Sequence, residues 1–290
     1  MSTVVTWSTK DCNGITSIYF ISESRISWGS PNSIWDYGQK VFSLKQSGII
    51  AYCGDVLFPT QTISQLKDLI DKEILFRNNE TNENKIQIIK AFIENAFNNY
   101  PIKMDYTVIL VSLVENKIFN LYEFTISNSI ISIKELEVVA NKPIAYGSGK
   151  KYFDKVFSRL KGDIYSRCIY QSFFKTIEEA EDKLSGGAIQ LVGLYRDSRS
   201  QTFGIIQDNE KFIYGQKITS KDIPLNIEWR NRNFEITDGQ TLKRKKKAQR
   251  QPFNRDLWTG GGIATTNLFH VIESALTIWA TPPPIEVYLK

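Results

Sequence analysis

The sequence predicts an α+β fold in which two groups of antiparallel strands are covered by paired helices. Three observations carry this. Patterns of strand and helix follow one another as strands, two helices, strands, two helices, strands, an order that suggests two sheets with helix layers. Asn13-Gly14 between two alternating stretches is a strong hairpin signal. Neither GxxxxGK[ST] nor GxGxxG occurs, and single strands do not alternate with single helices, so a doubly wound nucleotide-binding domain is excluded.

The elements follow in order. Residues 3–7 read as a short strand with Val5 and Trp7 on one face, and 16–22 as its hairpin partner. Residues 40–44 and 49–52 form a second hairpin, turning at Gln46-Ser47-Gly48. Ile63, Leu66, Ile70 and Ile74 recur at helical spacing, with Thr60 or Thr62 as cap. After the polar loop 78–84, Ile86, Ile89, Ile93, Ala96 and Phe97 stripe a second helix that ends at Pro101.

Strands are expected at 106–114, 117–124, 130–133 and 136–139. Beyond Gly147-Ser148-Gly149, Tyr152, Val156, Phe157 and Leu160 stripe a third helix. Ile164, Cys168, Phe173, Ile177 and Leu184 stripe a fourth, and 188–194, 202–206 and 212–214 close the pattern as strands. The character changes after 217, giving three segments: a domain over 1–217, a polar and basic connector over 218–262, and a C-terminal amphipathic helix and tail over 263–290. Gly260-Gly261-Gly262 reads as a hinge. Leu268, Phe269, Ile272, Leu276 and Trp279 form the apolar stripe that Pro282-Pro283-Pro284 ends; it suits docking on its own domain or a neighbouring subunit, because its polar face lacks the Lys and Arg of a membrane-surface helix.

Composition narrows the chemistry. Hydrophobic residues make up 42% and charged residues 23%, as in an ordinary globular protein. The longest apolar runs fall short of the roughly 20 residues that span a bilayer, and no basic n-region precedes an apolar h-region, so a cytoplasmic location is expected. Cys12, Cys53 and Cys168 are far apart and have no metal-ligand spacing. His270, the single histidine, sits in the C-terminal stripe, so an enzyme here moves its protons with amines and carboxylates. The net charge of +5 is concentrated in Lys243, Arg244, Lys245, Lys246, Lys247 and Arg250. That run reads as a solvated face, with nucleic acid as the sharper alternative partner.

Ser2-Thr3-Val4-Val5-Thr6-Trp7 resembles the mature start of proteasome β subunits and related bacterial protease rings, which begin with a hydroxyl residue and a strand. Ser22-Glu23-Ser24-Arg25 is similar to the family's acidic-small-Arg motif, with glutamate where the family has aspartate. Lys40-Val41, Tyr52-Cys53-Gly54, Gly147-Ser148-Gly149 and Asp182-Lys183-Leu184-Ser185-Gly186-Gly187 match further family segments in the same order. The resemblance covers about residues 2–215.

The resemblance implies a four-layer αββα sandwich and an N-terminal-nucleophile amide hydrolase, most simply a peptidase. Ser2 would be nucleophile and its α-amine the base, once Met1 is removed. An α-amine titrates at about 7.7–8.0, much nearer neutrality than a lysine. Lys40, held by Glu23, would stabilise the alkoxide, Gly54 would donate to the oxyanion, and Ser148, Asp182 and Ser185 would orient amine and hydroxyl. Serine lacks the β-branch that restricts χ1 in the threonine most active members use, which implies slower turnover. Thr3 is set aside as nucleophile, since exposing it requires removing two residues. No cofactor or metal is expected. Expected partners are a peptide or protein substrate, further copies of the chain in a ring, and an unfoldase or regulator; neither a membrane nor nucleic acid is. The alternative is a catalytically silent scaffold of the same fold, with nucleic-acid contacts through 243–250.

Overall fold

A computed structural model describes residues 2–45, 48–77, 79–102, 104, 106–127, 130–179, 181–219, 227–248 and Leu257. The Gly260–Gly262 hinge, Arg250, His270 and the C-terminal stripe lie outside the described residues. β1 (Thr3–Asp11) and β2 (Gly14–Glu23) form the Asn13-Gly14 hairpin. A small hairpin follows, β3 (Ile26–Ser27) with β4 (Ile34–Trp35), then β5 (Val41–Leu44) with β6 (Gly48–Cys53). Helices α1 (Leu57–Asp71) and α2 (Asn82–Asn98) precede β7 (Thr107–Glu115), β8 (Ile118–Ser127), β9 (Ile130–Leu136) and β10 (Ile144–Gly147). Then come α3 (Lys150–Phe157), α4 (Ser166–Glu179), β11 (Ile189–Tyr195), β12 (Ser200–Gln207), β13 (Glu210–Ile213) and β14 (Gln216–Lys217). Two short strands, β15 (Glu228–Arg230) and β16 (Ile236–Thr237), end the described fold.

The strands make two larger sheets. One has the order β10-β1-β2-β11-β12-β13-β14, with β15 parallel to β12 and β16 beyond it; the other is β5-β6-β7-β8-β9. Alternation along the strands sorts the apolar residues into three clusters. Val4, Ile18, Phe20, Val192 and Leu194 of the first sheet meet Val41, Ile49, Ala51, Val108 and Leu110 of the second. The opposite parity of the second sheet, including Phe42, Ile50, Tyr52 and Ile109, packs with Ile63, Leu66 and Ile70 of α1 and Ile86, Ile89 and Ile93 of α2. The opposite parity of the first, including Val5, Trp7, Tyr19 and Ile21, packs with Phe153 of α3 and Ile169, Tyr170 and Phe173 of α4. Among the described residues no helix is long and apolar enough to cross a bilayer.

Several expectations shift. Of the strands read at 130–133 and 136–139, the first extends to Leu136 as β9 while 137–139 lies outside any strand, and β10 follows, pairing Thr3 with Gly147. Helix α1 begins at Leu57, ahead of Thr60 and Thr62, with the Asp55 Oδ1 accepting from Phe58 N–H at 3.3 Å; Ile74 lies beyond its end. Leu184 falls outside α4. Part of the segment read as a connector joins the domain's own sheet: Trp229 is buried between β12 and β16, its ring lying over Gly204 and Gly239, where an added Cβ would come within 2.4 Å of the indole. Trp229→Ala should therefore cost about 3–5 kcal/mol of stability, read by chemical denaturation. A cost below about 1 kcal/mol would show that 228–237 is peripheral.

Candidate functional site

Ser2 begins the chain's run into β1, and the end of β10 is pressed against it. Gly147 has φ +87°, and a Cβ there would lie 1.7 Å from the Ser2 carbonyl oxygen, so only glycine lets the two backbones approach this closely. Lys40 precedes β5, where its ammonium is carried into the space at the end of β1 and β2. Its exposure and that of Glu23 are both 0%. Lys40 Nζ donates to Glu23 Oε1 at 2.7 Å and to the Arg25 carbonyl oxygen. Burial pulls the lysine below its ordinary value, opposed by the Glu23 carboxylate.

Glu23 also gathers backbone amides. Thr3 N–H donates to Oε1 at 3.1 Å, Arg25 N–H to Oε2 at 2.6 Å and Gly186 N–H to Oε2 at 3.4 Å. A second network comes from the other side. Ser148 Oγ and Ser185 Oγ donate to Asp182 Oδ2 at 2.7 and 2.8 Å, and Leu184 N–H donates to Oδ1 at 3.0 Å. With the Ser185 proton given to Asp182, the Thr3 hydroxyl donates to Ser185 Oγ at 3.0 Å.

Both networks therefore end on Thr3. Ser2 is fully buried, and its Oγ has no hydrogen-bond partner among the described residues. Strand parity explains the division. Thr3 shares a face with Val5, toward α3 and α4, whereas Ser2 shares a face with Val4, toward the space between the sheets. There Ser2 forms part of the wall of a cavity of about 740 Å³, together with Cys53, Gly54, Tyr106, Gly147 and Ser148. Ser148, Asp182 and Ser185, expected to orient the amine and hydroxyl of Ser2, here form a network that reaches its neighbour Thr3.

Gly54 has φ +111°, and a Cβ would lie 2.4 Å from the Tyr106 carbonyl oxygen, so the chain turns past the cavity in a conformation open to glycine alone. Burial pushes the adjoining Cys53 thiol up to about 12, against the pull of Lys40, so it stands protonated and does not compete as a nucleophile. Five of the seven sequence-read residues thus fall into two bonded networks, Glu23 with Lys40 and Ser148 with Asp182 and Ser185; Ser2 and Gly54 share the cavity between.

No family model matches the chain, and no curated protein matches it. Solved structures do: 464 chains match. One is the Anbu (Gly-1) mutant from Hyphomicrobium sp. strain MC1, at 13% identity and a TM-score of 0.50, covering 70% of this chain and 86% of that one. Anbu is a proteasome-like bacterial protein. The likeness is one of fold. It says nothing of catalysis, and the roles of the seven residues rest on the geometry above.

Sequence reading missed Thr3 as the joining residue, and it missed Gln190. That side chain is 1% exposed; its Oε1 accepts from Lys40 N–H at 3.0 Å, and its Nε2 donates to the Glu23 and Gly38 carbonyls at 3.2 and 2.5 Å. The signal was present: Gln190 is a lone amide in the apolar run of β11, and a buried amide needs partners. Lys40→Met should cost about 3–5 kcal/mol by stranding Glu23. Glu23→Leu should cost more, by on the order of 1 kcal/mol for each backbone amide left unpaired. Denaturation midpoints compare the two; equal losses would show that the backbone donors contribute nothing.

Proposed function

We propose that the chain is an N-terminal-nucleophile amide hydrolase of peptidase type, with Ser2 as nucleophile after cleavage of the Met1–Ser2 bond. One observation carries the reading. A lysine and a glutamate, both without solvent exposure, are paired at the start of the first strand, where Glu23 also binds the Thr3 amide, and the preceding serine contributes to a cavity wall with a buried hydroxyl that has no partner among the described residues. The three apolar clusters support the companion reading of the fold, a four-layer αββα sandwich whose sheet continues into 228–237.

The chemistry runs as follows. Ser2 Oγ attacks a substrate amide carbon, and its proton passes to the Ser2 α-amine. The amine returns that proton to the leaving nitrogen as the C–N bond breaks, leaving an ester on Ser2. Water, deprotonated by the same amine, hydrolyses the ester. An ammonium has three N–H bonds; two of Lys40's are taken by Glu23 and Arg25, and the third is available to the developing charge. The Gly54 N–H would serve the oxyanion, an interaction worth about 3–4 kcal/mol in such sites. Ser185 and Asp182 keep the strand start in place through Thr3. Serine in place of threonine leaves χ1 freer, so turnover is expected to be modest.

Intact mass should show loss of methionine, and a mechanism-based probe for N-terminal hydroxyl nucleophiles should label Ser2. Ser2→Ala should abolish peptide hydrolysis, and Lys40→Met should lower kcat by at least about 100-fold. The rate should rise with pH as the amine loses its proton, at about 7.7–8.0 for an ordinary α-amine. Retention of methionine would leave the silent scaffold as the reading, and undiminished hydrolysis by Ser2→Ala would remove Ser2 as the nucleophile.

A further inference from the structure

We propose that the β3–β4 hairpin is the substrate-selecting element of this site, with Trp28 and Trp35 making it specific for a large apolar or aromatic side chain beside the scissile amide. The inference rests on the hydrolase reading and adds a substrate class to it.

A second cleft, of about 1060 Å³, lies between this hairpin and the beginning of α1, with Ile26, Trp28, Trp35, Val56 and Leu57 on its walls. Gly54 and Tyr106 line both this cleft and the cavity that holds Ser2. A chain whose carbonyl stands at Gly54 can therefore place a neighbouring side chain against the tryptophans. The size and lining suit a side-chain or small-ligand site, since such pockets run to about 300–1,000 Å³ and are mostly apolar.

Two features point to a bulky occupant without negative charge. Trp28 and Trp35 are 66% and 47% exposed, Tyr106 on the same cleft is exposed as well, and the Trp35 ring lies 6.0 Å from that of Tyr37. Aromatic walls of this kind gain from covering another apolar or aromatic group. Among the described residues the one ionisable group on the cleft apart from Tyr106 is Asp55, whose Oδ1 accepts from Phe58 N–H at the start of α1. An anionic side chain would find no counter-ion among the described residues there. The Ser2 cavity differs on its far side, where Glu123, Lys134 and Lys150 stand.

The hairpin is also fixed to the reactive end of the molecule. Arg25 Nε and Nη2 pair with both Asp36 oxygens at 2.7 and 2.8 Å, closing the base of the hairpin. The same residue's carbonyl receives the Lys40 ammonium. The tryptophans are thereby held in register with the catalytic lysine.

Binding is best tested without turnover. Ser2→Ala protein is titrated calorimetrically with a blocked Ala-Ala-Phe-Ala-Ala peptide and with versions carrying Ala or Asp for Phe. The Phe peptide should bind about tenfold tighter or more, the scale on which apolar pockets discriminate, and Trp28→Ala with Trp35→Ala on the same background should erase the difference. Trp35→Phe in place of Trp35→Ala should restore part of it, which a merely unfolded variant would not. Equal affinities overturn the inference. So does a double variant that keeps the preference, or one that instead changes the oligomeric mass while both peptides bind alike, which would give this face to a second copy. Turnover by the unsubstituted protein is read separately: cleavage without a Phe preference sinks the inference alone, and Phe-selective binding without cleavage sinks the hydrolase reading alone.

Discussion

The arrangement depends on one buried ion pair. Lys40 and Glu23 are both withdrawn from solvent, and taking each charge out of water costs several kcal/mol even after relaxation. An apolar pair of similar volume would hold the fold as well or better. What apolar side chains could not do is collect backbone amides. Glu23 takes those of Thr3, Arg25 and Gly186, and so joins the start of β1, the end of β2 and the turn before β11 at one carboxylate. Lys40 brings in the segment before β5 from the other sheet. Four parts of the chain distant in sequence are thus set in register at the point where the first strand begins, and the field between the charges is strong because water is absent.

That geometry was only partly legible in the residues. Asn13-Gly14 fixes a hairpin locally, but a register shift between Thr9 and Lys10 intervenes before Val4 comes opposite Ser22. Acid, lysine, glycine and serine types announce chemistry wherever they fall, so the site's composition could be read. Its connections could not. Whether Ser185 meets Thr3 or Ser2 is a matter of strand parity and a single residue of offset. Gln190 speaks only once its strand is known to be covered on both faces.

The elements that escaped reading share a cause. Strand β10 follows Pro143 and runs only four residues along an edge, too few for alternation to register. The β3–β4 hairpin has two residue pairs. Strand β15 holds one apolar residue, Trp229, among charged ones, and its partner β12 lies parallel and more than 20 residues back. Long-range pairing leaves no periodic trace in so short a stretch. Helix α1 was misplaced at its start for a different reason: its first free amides are met by Asp55 from outside the helix and not by a serine or threonine cap.

The same parity that misled the site reading explains why Ser2 is left alone. A buried hydroxyl without a partner costs about 1–3 kcal/mol, and a fold has easy ways to avoid that cost: one residue further on, Thr3 has two bonds through its amide and hydroxyl. Gly147 forbids escape, since its close approach holds the Ser2 backbone where its side chain must face the space between the sheets. The networks fasten the residue after Ser2, the glycine fastens its carbonyl, and the buried hydroxyl itself is left without a partner among the described residues. On the proposed reading of Ser2 as nucleophile, rigid neighbours serve it better than strong bonds of its own, because every ground-state bond it made would have to be broken before attack.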